Sequence, residues 1–266
     1  MIGKSESAKG TPKPKGAAQP VTSWGNVASW YDDYLSNPDS YQEKVVLPNL
    51  MRIISPRKGE RILDLACGQG FFSGKFADVG AKVTGVDISS ELVTKARARL
   101  RDIDFSVAPA HKLPFANTMF DTVICVLAIQ NIAEIDQTFA ECKRVLKPGG
   151  RFVMVLNHPA FRVPQSSDWS YDEKTKTQGR LVTKYLSESK NKIDMHPGAD
   201  KKTFTISFHR PLQVFVKLLS KNNFAVTRLE EWISHKVSKP GPRANAEDKA
   251  RKEIPLFMCI ETKLIS

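Results

Sequence analysis

Cysteine, acid and long apolar runs are all scarce in this chain. The 266 residues include 4 cysteines. Cys67, Cys125, Cys142 and Cys259 lie far apart, with no Cys-x-x-Cys pair and no Cys/His spacing of a zinc site. Neither a disulfide framework nor a metal site is expected, and reduced thiols in a cytoplasmic protein are. No apolar run approaches the ~20 residues of a membrane span. The longest, Val123-Ile-Cys-Val-Leu-Ala-Ile129, is strand-sized. No secretory apolar segment follows Met1, so export is not expected either. Carboxylates number 28 against 40 Lys and Arg, leaving a formal net charge of +12. Such an excess attracts nucleic acid. Here it gathers in the N-terminal tail (Lys4, Lys9, Lys13, Lys15), between Lys174 and Lys202, and from Lys236 to Lys252. A solvated basic surface accounts for that placement better than a nucleic-acid footprint.

What is present is enough for one large α/β domain, with 41% apolar residues. Residues 1–22 are Lys, Pro, Gly, Ala and Ser with almost nothing large and apolar, so they are expected to form a disordered basic tail. The domain is expected over 23–266. Trp24–Ile54 has helical character, broken near Asn37-Pro38 and Pro48. From Arg61 strands and helices alternate: strands at Arg61–Leu65, Lys82–Val86, Ile103–Ala108, Asp121–Leu127 and Arg151–Asn157, and helices at Phe71–Val79, Ser90–Arg101 and Glu134–Leu146. Lys147-Pro-Gly-Gly150 stops the last helix. This rhythm implies a parallel sheet with helices on both faces. It fails over 158–203, a polar, weakly periodic stretch expected to be a lid or substrate-binding insertion. Phe204–Phe208 reads as a short strand and Pro211–Asn222 as an amphipathic helix. Phe224–Trp232 and Leu256–Lys263 read as closing strands, with a charged loop, Lys236–Lys252, between them.

The chemistry concentrates in Leu63-Asp-Leu-Ala-Cys-Gly-Gln-Gly70 and Gly85-Val-Asp-Ile-Ser89. Gly68 and Gly70 leave backbone bare where the chain turns sharply against a ligand. A dinucleotide fingerprint wants a third glycine at position 73, where Ser73 stands. Asp64 would repel a pyrophosphate but suits the ammonium of a methionine moiety, directly or through water. Asp87, ending the second strand, can accept from both hydroxyls of a ribose. A cationic nucleoside without phosphates, S-adenosylmethionine, meets these demands. Cys67, near a helix N-terminus, is expected to be a small residue packed under the turn rather than a reactive thiol.

These two stretches, with Leu113-Pro-Phe, Phe120-Asp121 and Leu146-Lys-Pro-Gly-Gly150 in the same order, resemble the class I S-adenosylmethionine-dependent methyltransferases, in particular the ubiquinone/menaquinone-biosynthesis branch. The resemblance implies a Rossmann-like α/β fold: a seven-stranded, mostly parallel sheet with helices on both faces, an N-terminal helical cover, and the 158–203 insertion after the fifth strand. It also implies that Ala66, Gly68 and Gly70 line the methionine part, that Ile88 packs on the adenine, that Ala110 and His111 contact the adenine edge, and that Leu127 and Gln130 border the cofactor. Many relatives place an acid after the third strand to meet the adenine amino group, but Pro109 occupies that slot here.

Methyl transfer mainly needs alignment and exclusion of water, and a base only if the acceptor loses a proton during attack. His158, just after the fifth strand, is the base candidate. His209 reads as structural. Tyr31 reads as core or as a residue closing over the cofactor. Arg162 and Arg210 are candidates to neutralise an acidic acceptor, and Trp24, Trp30, Trp169 and Phe161 to wall an apolar pocket. The expected acceptor is a small molecule. The rival readings are an RNA or protein methyltransferase on the same core, and a non-catalytic subunit with the same fold. Leu127-Ala-Ile-Gln-Asn131 lacks the Asn/Asp-Pro-Pro-Tyr pattern of base-amine methylation.

Overall fold

A computed structural model describes residues 37–194 and 204–265. Its centre is a seven-stranded sheet. The strands are β1 (Arg61–Leu65), β2 (Lys82–Asp87), β3 (Asp104–Val107), β4 (Phe120–Val126), β5 (Leu146–Asn157), β10 (Phe224–Trp232) and β11 (Phe257–Leu264). They lie in the order β10-β11-β5-β4-β1-β2-β3. β11 runs antiparallel to both neighbours, and the other pairings are parallel. Chain order reverses between β1 and β4, which makes the carboxyl ends of these strands the switch point where such sheets hold ligands.

The central strands are largely apolar because both faces are covered. Adjacent residues go to opposite layers. Ile62, Ile124 and Val153 pack with Leu50 and Ile54 of α1 (Leu47–Ile54) and with Phe72 and Phe76 of α2 (Phe71–Asp78). In α3 (Ser90–Arg99) the hydroxyl of Ser89 caps the helix by accepting from the Leu92 N–H at 3.3 Å. Leu63, Val123 and Phe152 pack with Phe139 and Cys142 of α4 (Ile135–Val145) and with Phe215 and Leu219 of α5 (Leu212–Lys221).

Two expectations need correction. Pro48 does not break the helix. A π-turn over Gln42–Val46 leads straight into α1, so Pro48 falls in a first α-turn, where a missing N–H costs least. The expected loop after β10 contains α6 (Ala244–Glu253). Only Ala250 of α6 is buried, so it has no apolar stripe to read, and Arg251 pairs with Glu247 and Asp248 along its surface. The insertion contains an antiparallel pair, β6 (Ser167–Asp172) with β7 (Thr177–Val182), and the strand β8 (Ser189–Asp194), which pairs antiparallel with β9 (Phe204–His209) just beyond it. Among β6, β7 and β8 only Asn191 is buried, so an apolar alternation is weak in β7 and β8, although in β6 the half-buried Trp169 and Tyr171 alternate with exposed neighbours. Trp24, Trp30 and Tyr31, with the rest of the expected N-terminal cover before residue 37, lie outside the described residues.

Candidate cofactor and acceptor site

The carboxyl ends of β1, β2, β3 and β4 open onto one cavity of about 520 Å³, within the ~300–1,000 Å³ of small-ligand sites. The backbone around it is held in the left-handed region at Ala66 (φ 58°), Gly68 (φ 56°), Gly70 (φ 83°) and Leu127 (φ 54°). For alanine and leucine this conformation costs about 1–2 kcal/mol each, a cost that tends to persist where function needs the geometry. Ala66, Gly68 and Leu127 line the cavity. A Cβ built on Gly68 meets no protein atom within 4 Å, so the position is kept bare towards open space, as a close-lying ligand requires. Gly70 does not line the cavity. A Cβ there would sit 2.9 Å from Leu100 and 3.0 Å from Phe105, so this glycine serves the turn and the packing beneath it.

The two aspartates take different places. Asp87 is at the cavity wall. Its Oδ2 accepts the Gly68 N–H at 2.9 Å and its Oδ1 the Ser89 N–H at 2.8 Å, which welds the β1 turn to the end of β2. Each carboxylate oxygen keeps a lone pair for a further donor. Burial raises the carboxyl's pKa, and the N–H groups of Ser89, Gly68 and Ile88 oppose that. Asp64 is sealed under the turn, 1% exposed. It does not line the cavity, so the structure does not bring it to a direct contact with a ligand ammonium. Its Oδ2 accepts from the Ser73 hydroxyl at 2.6 Å. Burial pushes its pKa up to about 7, with the negative Asp87 adding to the rise and Ser73 opposing it. The acid of the first strand and the serine in place of a third glycine are thus partners in one buried hydrogen bond. Cys67 packs beneath Gly85, and burial puts its thiol pKa well above the ordinary value.

Ile88, Ala110 and His111 line the cavity, with Ala108 and Pro109 beside them. His111 Nδ1 lies 3.6 Å from Glu134 Oε2, so this contact spans the loops after β3 and β4. Gln130 does not line it. Its side-chain amide donates to the Leu127 carbonyl at 2.8 Å and holds that strained residue. The far wall has no forerunner in the motifs. Phe204, Ile206 and Phe208 come from alternate positions of β9, and Lys190 from β8. The alternation in Phe204-Thr-Ile-Ser-Phe208 is visible along the chain, but not which face meets the cavity.

His158 lies buried outside the cavity, 3% exposed. Its Nδ1 accepts from the N–H groups of Ala160 (3.2 Å) and Phe161 (3.3 Å), so Nε2 carries the proton and donates to Glu231 at 2.6 Å. Burial lowers its pKa, and Glu231 offsets part of that. With its one lone pair already engaged, this imidazole pins the exit of β5 to β10. His209 likewise donates to the Tyr185 carbonyl at 2.7 Å. Arg210 Nη2 donates to the carbonyls of Ile132 (3.0 Å) and Ala133 (2.9 Å), two residues of the cavity wall, so it fixes that loop without lining the cavity itself. Arg162 and Arg180 stack on Trp169, with guanidinium carbons 5.9 and 5.1 Å from the ring centre.

S-adenosylmethionine fits these residues. The cofactor end offers a buried diol acceptor in Asp87, a bare backbone at Gly68 and apolar faces at Ile88 and Ala108. Among the described lining residues no Lys or Arg stands at the ends of β1 to β4 to meet a phosphate.

Comparison with known proteins agrees. Residues 63–154 match a methyltransferase-domain family. A demethylmenaquinone methyltransferase of Paenarthrobacter aurescens is 29% identical across 88% of this chain and 94% of its own length. The enzyme of that name from Renibacterium salmoninarum is 39% identical, over 51% of this chain and 60% of its own. An S-adenosylmethionine-dependent methyltransferase structure from Mesorhizobium loti superposes with a TM-score of 0.68 at 24% identity, covering 86% of this chain and 99% of that one. That likeness is one of fold.

Proposed function

We propose that this chain is a class I S-adenosylmethionine-dependent methyltransferase and that it methylates a carbon of a small aromatic acceptor of the quinol kind. The carrying observation is the continuity of one cavity from the Gly68–Asp87 crib to the apolar wall of Phe204, Ile206 and Phe208. When bound, S-adenosylmethionine supplies a methyl group already activated on a positively charged sulfur.

What remains for the protein is alignment and exclusion of water. Asp87 would hold the ribose hydroxyls. The strained backbones of Ala66 and Leu127 border the cavity, and the β8–β9 pair completes its wall. The names of the relatives support a quinone-type acceptor. The placement of charge supports a small acceptor over RNA: besides His111, Lys190 is the one basic side chain among the described cavity-lining residues, despite a net charge of +12. Among the described residues no helix is long and apolar enough to cross a membrane.

The test supplies methyl-labelled S-adenosylmethionine with reduced 1,4-naphthoquinone, bulk RNA and a protein extract in separate reactions. Label in the naphthoquinol, located on a ring carbon, is the expected result. Label confined to RNA or protein refutes the reading.

A further inference from the structure

The far wall of the cavity carries a charge that the methyl donor does not require. β8 and β9 pair antiparallel with Lys190 opposite Phe208, Lys192 opposite Ile206 and Asp194 opposite Phe204. Directly opposed residues in such a ladder share a face. Since Phe204, Ile206 and Phe208 line the cavity, the β8 residue at its edge, Lys190, comes to line it too. Its Nζ stands 5.9 Å from the Phe208 ring centre and, among the described residues, makes no ion pair within 4 Å. The carboxylates of this cavity are committed elsewhere. Asp87 is tied to the β1 turn at the cofactor end, and Glu134 faces His111. Lys192, by contrast, sits 4.8 Å over the Phe204 ring and is not part of the wall.

An exposed ammonium beside Phe208, on the same cavity lining as Ile206 and Phe204 and without a described protein anion, is complementary to an aromatic ligand carrying an ionised oxygen. The aromatic body lies on the apolar wall, and the oxyanion meets Lys190. We propose that Lys190 is the acceptor's anion-holding residue, and hence that this enzyme prefers an acceptor whose ring bears a phenolate, enolate or carboxylate. The proposal rests on the methyltransferase reading and narrows it. It also assigns a purpose to the hairpin: β8 supplies the charge and β9 the apolar surface, so the insertion selects the acceptor.

The test uses two probes of one size, 2-naphthoate and 2-naphthamide, titrated calorimetrically into the full chain saturated with S-adenosylhomocysteine. The wild type should bind the anion more tightly, by about fivefold for a partly solvated pair. The ratio should fall to near one in K190M, persist in K190R, and change little in K192M. The affinity for S-adenosylhomocysteine should stay the same in all four proteins. A wild-type ratio near one, a ratio that survives K190M, or binding of neither probe to the loaded protein overturns the proposal. Failure of the wild type to bind S-adenosylhomocysteine would instead strike the methyltransferase reading, and this proposal with it.

Discussion

Asp64 offers the sharpest test, because its carboxyl is sealed away from water with a single side-chain donor, Ser73. Its pKa rises from 3.8 to about 7. About three pH units at ~1.4 kcal/mol each make an upper figure of about 4 kcal/mol. The sign follows from proton binding. Between pH 4 and 7 the folded state holds a proton that the unfolded state has released. The stabilisation is therefore complete below pH 4 and is lost as pH rises through 7. In D64N the amide oxygen still accepts from Ser73 but nothing ionises. The variant should match the wild type, or fall slightly below it, at pH 4.5, and exceed it by about 2–4 kcal/mol at pH 8. Asp87 titrates in both proteins in the same direction, so most of its contribution cancels in the difference. Urea unfolding followed by tryptophan fluorescence from pH 4.5 to 8.5 measures this directly. A wild-type-minus-variant difference constant within about 0.5 kcal/mol across that range refutes the reasoning. A second arm uses the cofactor. Its positive charge favours the ionised Asp64, so affinity for S-adenosylmethionine should rise with pH through 7 in the wild type and much less in D64N.

Three further outcomes are expected. Gly68→Val places methyls in the open space where the cofactor would lie, so calorimetry should show loss of S-adenosylhomocysteine binding while stability falls by only about 1–2 kcal/mol from the left-handed backbone; retained binding contradicts the crib. Asp87→Ala removes the acceptor of the Gly68 and Ser89 N–H groups as well as the ribose contact, so affinity for S-adenosylhomocysteine should drop by about 1–3 kcal/mol, and an unchanged dissociation constant removes the role. His158→Gln should lower stability by about 1–3 kcal/mol in thermal unfolding, because Glu231 and two backbone N–H groups lose a partner, yet leave the pH dependence of methyl transfer unaltered; a lost acid limb would restore it as a base.

Much of the cofactor half is legible in the amino-acid sequence, because it is built from residues close together along the chain. The turn after β1 and the end of β2 are short segments. Their glycines, capping serine and terminal aspartate each follow from local backbone demands, and parallel pairing of β1 with β2 brings Gly68 and Asp87 within one hydrogen bond. Ala66, Ile88, Ala110, His111 and Leu127 come with the family likeness, and the structure puts all five on the cavity wall. Asp64 is visible as an acid but not as a buried one. Its exposure depends on whether α2 closes over it, and Ser73 reaches it only once that helix docks.

The acceptor half stays hidden for a related reason. β8 is mostly solvated and carries no apolar rhythm, so neither its strand character nor the direction of Lys190 can be read along the chain. Both follow from its pairing with β9, which brings Lys190 to Phe208 across 17 intervening positions. His158 shows the converse: its position just after β5 suggests catalysis, but β10, distant in sequence, delivers Glu231 and turns the ring into a structural tie. Local backbone geometry thus determined where a cofactor would lie. Which charges face it, and which are sealed away, was decided by long-range strand pairing and helix docking, since burial and partnership are properties of packed surfaces and not of spacing along a chain.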